Sequence, residues 1–171
     1  MHIRLATRSD ATAISQLVFS LAAKYITVDF SAEGARTLLS SMEPAAIERS
    51  LASGYRYHIA EEAGAIVGVA GTRDNTHLYH LFVAESHHRR GIATALWRVA
   101  RDACIAAGNS GEFTVNSSRY ARPLYQKLGF VAAGPEDEHG GVFTTPMRLT
   151  EHPLNGSLAG EREVSAGQRP H

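Results

Sequence analysis

With 171 residues, 44% of them hydrophobic, the chain is long enough for one domain with a sizeable core, and its one cysteine, Cys104, excludes an internal disulfide. Lysine plus arginine balances aspartate plus glutamate at 17 each, so no long-range field draws the molecule to nucleic acid or to an anionic membrane. Residues 1–25 are amphipathic where a signal sequence would be uniformly apolar, and no apolar run approaches the roughly eighteen residues needed to cross a bilayer, so no membrane association and a reducing cytoplasm are the expectation.

In chain order, Ile3-Arg4-Leu5-Ala6-Thr7 alternates and predicts a first strand. Ser9 and Asp10 then predict the N-cap and first-turn acid of a helix whose Ile14, Leu17, Val18, Leu21, Ala22 and Tyr25 recur at three- and four-residue spacing. Residues 31–53 predict two short helices, with Leu38, Leu39 and Met42 on the first and Ile47 and Leu51 on the second; Pro44 suits the first helical position and Gly54 the stop. Residues 55–60 and 65–72 predict strands joined by a turn at Glu61-Glu62-Ala63-Gly64, and Arg73-Asp74-Asn75 leads into a third strand of an antiparallel meander.

The stretch 77–104, HLYHLFVAESHHRRGIATALWRVARDAC, reads as that third, central strand, a polar loop and a long helix. Strict alternation puts His77, Tyr79, Leu81 and Val83 on one face and Leu78, His80 and Phe82 on the other. Ile92, Leu96, Val99 and Ala103, widened by Trp97, Ala100 and Cys104, form the helix stripe, which places Cys104 in the core, and Gly108 ends it. Between strand and helix, Gly91 and Ala93 let a ligand approach the backbone, the helix start offers unpaired N–H groups, and Arg89 and Arg90 add positive charge. This is an anion cradle without the GK[ST] ending of a nucleotide triphosphate loop or the GxGxxG of a dinucleotide fold.

Residues 112–116 predict a fifth strand, and RYARPLYQKLGF (119–130) a short helix beginning near Pro123, ended by Gly129 and followed by a sixth strand from Phe130. Residues 136–141 read as a polar turn and 142–149 as a last strand, which Pro146 places near an edge or bulge. From residue 150 onward no periodic apolar face remains, which predicts a flexible tail over 150–171.

Two segments carry a family resemblance. HRRGIA at 88–93, after a strand ending Leu81-Phe82-Val83, resembles the [Q/R]xxGx[G/A] motif of the GNAT N-acetyltransferases, with His88 where Gln or Arg is usual. NSSRYARPLYQKLGF resembles their second signature, with Ala121, Leu124, Tyr125, Lys127, Gly129 and Phe130 in register and Ser118 in the usual Asn place; Asn116 is the nearby stand-in. The resemblance spans residues 1–149 and implies one α/β (α+β) GNAT domain, a mixed, mostly antiparallel seven-stranded sheet flanked by helices. It further implies acetyl-coenzyme A as cosubstrate, with amides from His88, Arg89, Arg90, Gly91, Ile92, Ala93 and Thr94 around its pyrophosphate, the backbone of Leu81, Phe82 and Val83 along its pantetheine arm, and Asn116 and Tyr125 also in contact.

The activity so implied is acetyl transfer to a primary amine of a small molecule, by direct attack in a ternary complex, since no cysteine stands near either motif. Charge grows on the departing sulfur, and Tyr125 is the candidate acid. An alkylammonium with a pKa near 10.4 must lose a proton at a cost of about 4.6 kcal/mol at neutral pH. His77 is the first candidate to take it, with Tyr79 beside it on the same strand face and His80 second. Residues 25–55 are expected to wall the acceptor pocket, and Glu85, Glu136, Asp137 and Glu138 are candidate attractants for a cationic acceptor. A metal is not expected, because His77 and His80 fall on opposite faces of a regular strand and adjacent His87 and His88 do not converge. A non-catalytic coenzyme A sensor and a peptide or protein N-acetyltransferase are the alternatives, and two copies pairing through C-terminal strands is a further implication of the resemblance.

Overall fold

The computed structural model describes residues 1–151. The alternating N-terminal residues form β1 (His2–Leu5), and a 3-10 turn leads into α1 (Ala11–Leu21). The cap of that helical run is Thr7, in place of the expected Ser9. The Asp10 carboxylate accepts from the Thr7 N–H at 2.7 Å and from Arg4 at 2.9 Å, which ties β1 to the start of the helix. The helix continues through a π turn, Ala22–Ile26, and a 3-10 turn, Thr27–Asp29. The whole run Arg8–Asp29 has 22 residues and contains a window of mean hydropathy 1.3, enough by length and composition to cross a bilayer, contrary to the sequence expectation. Its Ala11, Ile14, Val18 and Ala22 are packed with Ile47, Tyr57, Ile59 and Val69, the placement of a core helix.

Next come α2 (Ala32–Ser40) and α3 (Pro44–Ala52), with Pro44 in the first turn as expected. The meander is β2 (Arg56–Glu62), β3 (Ala65–Arg73) and β4 (His77–Val83). Its first turn is only Ala63-Gly64, both at positive φ (51° and 77°), so Glu61 and Glu62 belong to β2. There follow α4 (Ile92–Ala106), β5 (Glu112–Ser117), α5 (Arg122–Lys127), β6 (Val131–Ala132), β7 (Asp137–His139) and β8 (Val142–Thr150).

The strands run β1-β2-β3-β4-β5-β8-β6, antiparallel except for β4 with β5, and β7 pairs with β8. Among the described residues there are therefore eight strands where seven were expected, because the segment read as a polar turn is itself a short hairpin around Gly140-Gly141. β8 is next to the edge of the sheet. Pro146 is tolerated there because its carbonyl accepts from the Ala133 N–H at 2.8 Å, so its missing N–H faces the side where the two-residue β6 has ended. β8 includes Thr150, and the Glu151 N–H donates to the Gly111 carbonyl at 2.8 Å, so the ordered domain passes the expected boundary. The remainder of the expected tail lies outside the described residues.

Helices cover both faces. Leu96 and Trp97 of α4 pack on Leu78, Leu81, Phe113 and Phe130 beneath it, with Trp97 against Phe113 at 5.1 Å and Phe130 at 5.4 Å between ring centres. Beneath α1 and α3 lies the second core, built around Ile14, Ile47, Tyr57 and Val69.

Gly34, inside α2, would cost helix stability in isolation, yet a Cβ there would overlap the Gly141 carbonyl. The β7–β8 turn is docked backbone to backbone on α2, with the Ser31 N–H donating to the Gly141 carbonyl at 3.3 Å. Gly34→Ala, favourable by about 1 kcal/mol in an open helix, should here lower stability, since overpacking costs about 1–3 kcal/mol. The check is the urea midpoint of unfolding; a rise would show that the hairpin yields freely.

Candidate active site

The site begins where two strands part. β4 and β5 are in register only at His77↔Thr114 and Leu78↔Val115, so the rest of β4 has no partner on that side. On its other side β4 pairs with β3, with Phe82 opposite Val69 and the Ala84 N–H bonded to the Val67 carbonyl at 2.8 Å. Ladder alternation therefore commits the Phe82 backbone to β3 and turns the N–H and C=O groups of Leu81 and Val83 into the gap. Of the expected edge residues, Leu81 and Val83 offer backbone and Phe82 offers only its side chain.

A bulge re-aims the strand. Gly71 is opposite His80 and Thr72 opposite Leu78, which leaves Tyr79 as the extra residue. Alternation breaks there, and the face assignment read from the sequence fails: His77, Tyr79, His80 and Phe82 share the α1 side, while Leu78, Leu81 and Val83 pack toward α4. Tyr79 and His80 are in ring contact at 4.3 Å. The opposite-face argument against a metal on His77 and His80 accordingly falls; among the described residues no cluster of three His, Cys, Asp or Glu side chains is arranged for a metal ion.

At the open end of the gap, Gly91 (φ 74°) and Arg89 (φ 60°) are left-handed and fold the loop into the start of α4. The first amide of the helix with an internal acceptor is that of Ala95, bonded to the Gly91 carbonyl at 3.0 Å, so the N–H groups of Ile92, Ala93 and Thr94 remain for an anion. Arg90, expected to add charge, is held by Glu62 through two bonds of 2.8 and 3.1 Å, and His87 approaches the same carboxylate at 2.7 Å. These contacts keep Glu62 ionised, at about 2. Of these two arginines, Arg89 is the one on the cavity wall. His88, the departure from the motif, puts Nε2 within 2.7 Å of the Val83 carbonyl, a distance at which its N–H donates, and so occupies one of the edge groups.

One cavity of about 580 Å³ joins these parts. It runs from His88, Arg89 and Gly91 to Thr94, past Leu81 and Val83, to Asn116, Ser118 and Tyr125, and on to His77, Tyr79 and His80. Tyr125 is buried beside Phe130 at 5.9 Å, and burial raises its phenol well above the ordinary value, so it is a neutral donor. His77 Nδ1 lies 2.7 Å from the Thr114 hydroxyl, and His80 Nδ1 lies 3.0 Å from that of Tyr57. Burial, with Arg73 nearby, lowers His77 to about 4, and burial lowers His80 to about 3, so both rings are neutral at pH 7.

The far wall comes from α1, its π turn, α2 with the residues flanking it, and β8: Leu21, Tyr25, Ile26, Phe30, Leu38, Ser41, Met42, Val142 and Thr144. Tyr25 stacks on Tyr120 at 4.7 Å, bridging the helix end and the loop after β5. Nothing in the heptad-like spacing of α1 signalled its π turn, whose Tyr25 and Ile26 reach the cavity. The acids proposed as attractants do not line it. Glu136 is bonded to Arg119 at 2.6 Å, Glu85 to Lys24 at 2.7 Å, Asp137 lies 2.8 Å from His139, and Glu138 accepts from the Gly141 N–H.

A strand edge leading from an anion cradle to a side pocket is an arrangement suited to a chain-like anionic ligand. The Acetyltransferase (GNAT) domain family matches residues 26–151, and the chain belongs to that family. No curated protein sequence matches it. Among solved structures it is similar to a GCN5-related N-acetyltransferase from Rhodopseudomonas palustris (22% identity, 88% of this chain and 95% of that one, TM-score 0.72). It is also similar to the paia N-acetyltransferase from Thermoplasma acidophilum, determined in complex with coenzyme A (16%, 88% and 100%, 0.69), and to yncA from Salmonella typhimurium with acetyl-CoA (22%, 90% and 96%, 0.62).

The neutral histidines couple the site to folding. Their native pKa values lie below the unfolded value near 6.5, so the unfolded chain binds more protons as pH falls. Their contribution is complete above about pH 6.5 and is lost progressively toward pH 4 for His77 and pH 3 for His80. The urea midpoint should therefore fall between pH 7 and 4.5, and less steeply in His77→Gln; equal slopes in the two proteins would mean that folding does not lower the pKa of His77.

Proposed function

We propose that the chain transfers an acetyl group from acetyl-coenzyme A to a primary amine of a small molecule, directly, within a ternary complex. The observation that carries this is the single cavity linking the first turn of α4, the unpaired edge of β4, Tyr125 and the aromatic wall of α1 and α2. The donor set suits the cosubstrate. Free amides of Ile92, Ala93 and Thr94 with Arg89 suit a pyrophosphate, and the Leu81 N–H and C=O with the Val83 N–H suit the amides of a pantetheine arm. His88 already occupies the Val83 carbonyl, so its role in this reading is to set the edge and the loop rather than to touch phosphate.

The cosubstrate supplies an activated thioester; the protein supplies position and protons. The nitrogen–carbon bond forms as the carbon–sulfur bond breaks; the Tyr125 phenol, neutral and lining the cavity, gives its proton to the departing sulfur and is restored by the second proton that the acylated nitrogen sheds. The amine arrives as an ammonium and loses its proton toward the face shared by His77, Tyr79 and His80. A ring near 4 is a weak base, so His77 acts by accepting a hydrogen bond and handing the proton on to solvent. Direct transfer is favoured because Cys104 is fully buried in the α4 core, away from the cavity. A small acceptor is favoured because the β7–β8 hairpin is docked on α2, with Phe30 and Phe143 6.4 Å apart.

Release of free coenzyme A thiol with an amine acceptor tests this. Tyr125→Phe should lower kcat by roughly 10²- to 10³-fold while coenzyme A binding, read by calorimetry, is retained. A mutant with wild-type kcat would remove Tyr125 from the chemistry, and failure to bind coenzyme A would sink the whole assignment.

A further inference from the structure

We propose that the acceptor is an amine bearing a carboxylate on an apolar or aromatic body, as an aromatic or large aliphatic amino acid is, with its carboxylate at Arg73 and its body against Tyr25, Phe30, Leu38 and Met42. This rests on the transferase reading above and names the substrate class of that site.

The wall itself carries the argument. Among the described residues lining the cavity there is no aspartate or glutamate; the charged side chains are Arg73, Arg89 and Lys127. A polyamine or an aminoglycoside brings several ammonium groups, and each would be desolvated here with no counter-charge. The nearby acids are committed elsewhere: Glu136 and Asp29 face Arg119, and Glu85 faces Lys24.

Arg73 is at the right end for an acceptor. It ends β3 opposite His77, six residues along β4 from Val83, which is about 20 Å from the cradle end at the rise of a strand. Arg89 belongs to the cradle, whereas Arg73 stands on the floor beside His77 and Tyr79. Among the described residues its one ion-pair partner is Asp74, 74% exposed and off the cavity wall, bonded at 2.9 Å through one guanidinium nitrogen, so the fork keeps donors for a second carboxylate. A carboxylate bound there also offsets the positive charge that helps hold His77 down, so an acceptor of this class raises the basicity of the ring facing its own amine.

The test is thiol release from acetyl-coenzyme A with L-phenylalanine, L-leucine, phenethylamine, spermidine and kanamycin. The two amino acids should have the highest kcat/KM. The ratio of L-phenylalanine to phenethylamine should fall roughly ten- to hundredfold in Arg73→Gln, through KM, and recover in part in Arg73→Lys. Spermidine or kanamycin as the preferred acceptor, or an unchanged ratio in Arg73→Gln, overturns the proposal. Calorimetric titration of L-phenylalanine and L-leucine into protein saturated with coenzyme A separates the two readings. Binding that is lost in Arg73→Gln, without turnover, keeps the acceptor pocket and rejects the transferase; no binding of either amino acid rejects the pocket assignment whatever other amines are turned over.

Discussion

The structure depends on β4 releasing β5 after two residue pairs. A strand that leaves its neighbour exposes N–H and C=O groups that would be costly to bury unpaired, so the gap must stay open to water or ligand. The closed end is pinned firmly: Thr114 N–H to the Thr76 carbonyl, His77 to the Thr114 hydroxyl, and the Asn109 amide to the carbonyls of Asn75 and Glu112. Below the gap, Trp97, Phe113 and Phe130 fill the space under the diverging strands. The opening is therefore a fixed wedge, and α4, whose amides face its wide end, is placed by the same packing.

The bulge at Tyr79 decides what looks into the wedge. Without it His80 would point toward α4 and the cavity floor would lose one of its two imidazoles. With it, His77, Tyr79 and His80 lie together on the α1 side, braced by Tyr55 edge-on to Tyr79 at 5.2 Å and by Tyr57 bonded to His80. Two buried histidines on one strand are tolerable because both are neutral and each has a hydroxyl partner; charged, they would repel each other in a poorly solvated site.

The sequence carried the fold well because its local signals agreed with the tertiary result. The alternation in β4, the stripe of α4, Pro44 and the glycine stops each mark an element that the sheet then uses. The segments that line the cavity were legible in part, since Leu81, Gly91 and Tyr125 belong to stretches with a recognisable pattern, whereas nothing local marked Arg73 as a wall residue. What could not be read was register. A one-residue bulge leaves composition and periodicity nearly unchanged yet reverses the facing of every residue beyond it, which is why His80 was assigned to the wrong side. Long-range pairings were equally silent: nothing local links Gly34 with Gly141, Arg90 with Glu62, or Tyr25 with Tyr120, although all three pairs shape the cavity. Pro146 misleads in the opposite way, because its cost depends on the length of β6, a neighbour that is remote in sequence.

A protein with no net charge can still sort charge finely over 20 Å, and the pairings show how. At the cradle, Glu62 cancels Arg90 and leaves the anion to backbone amides and Arg89, so attraction there is local and directional rather than a broad basic field. At the mouth, Arg119, Arg122 and Lys24 cancel Glu136, Asp29 and Glu85, so no negative field gathers polycations. Along the floor the cancellation is incomplete on one side only: Arg73 faces the cavity while Asp74 faces solvent. An amine entering as a cation would meet only positive or neutral groups, and lowering that barrier requires a charge that the amine itself carries. A carboxylate on the acceptor meets that requirement and, by sitting at Arg73, points the amine back toward the neutral rings and the wedge where the thioester would lie.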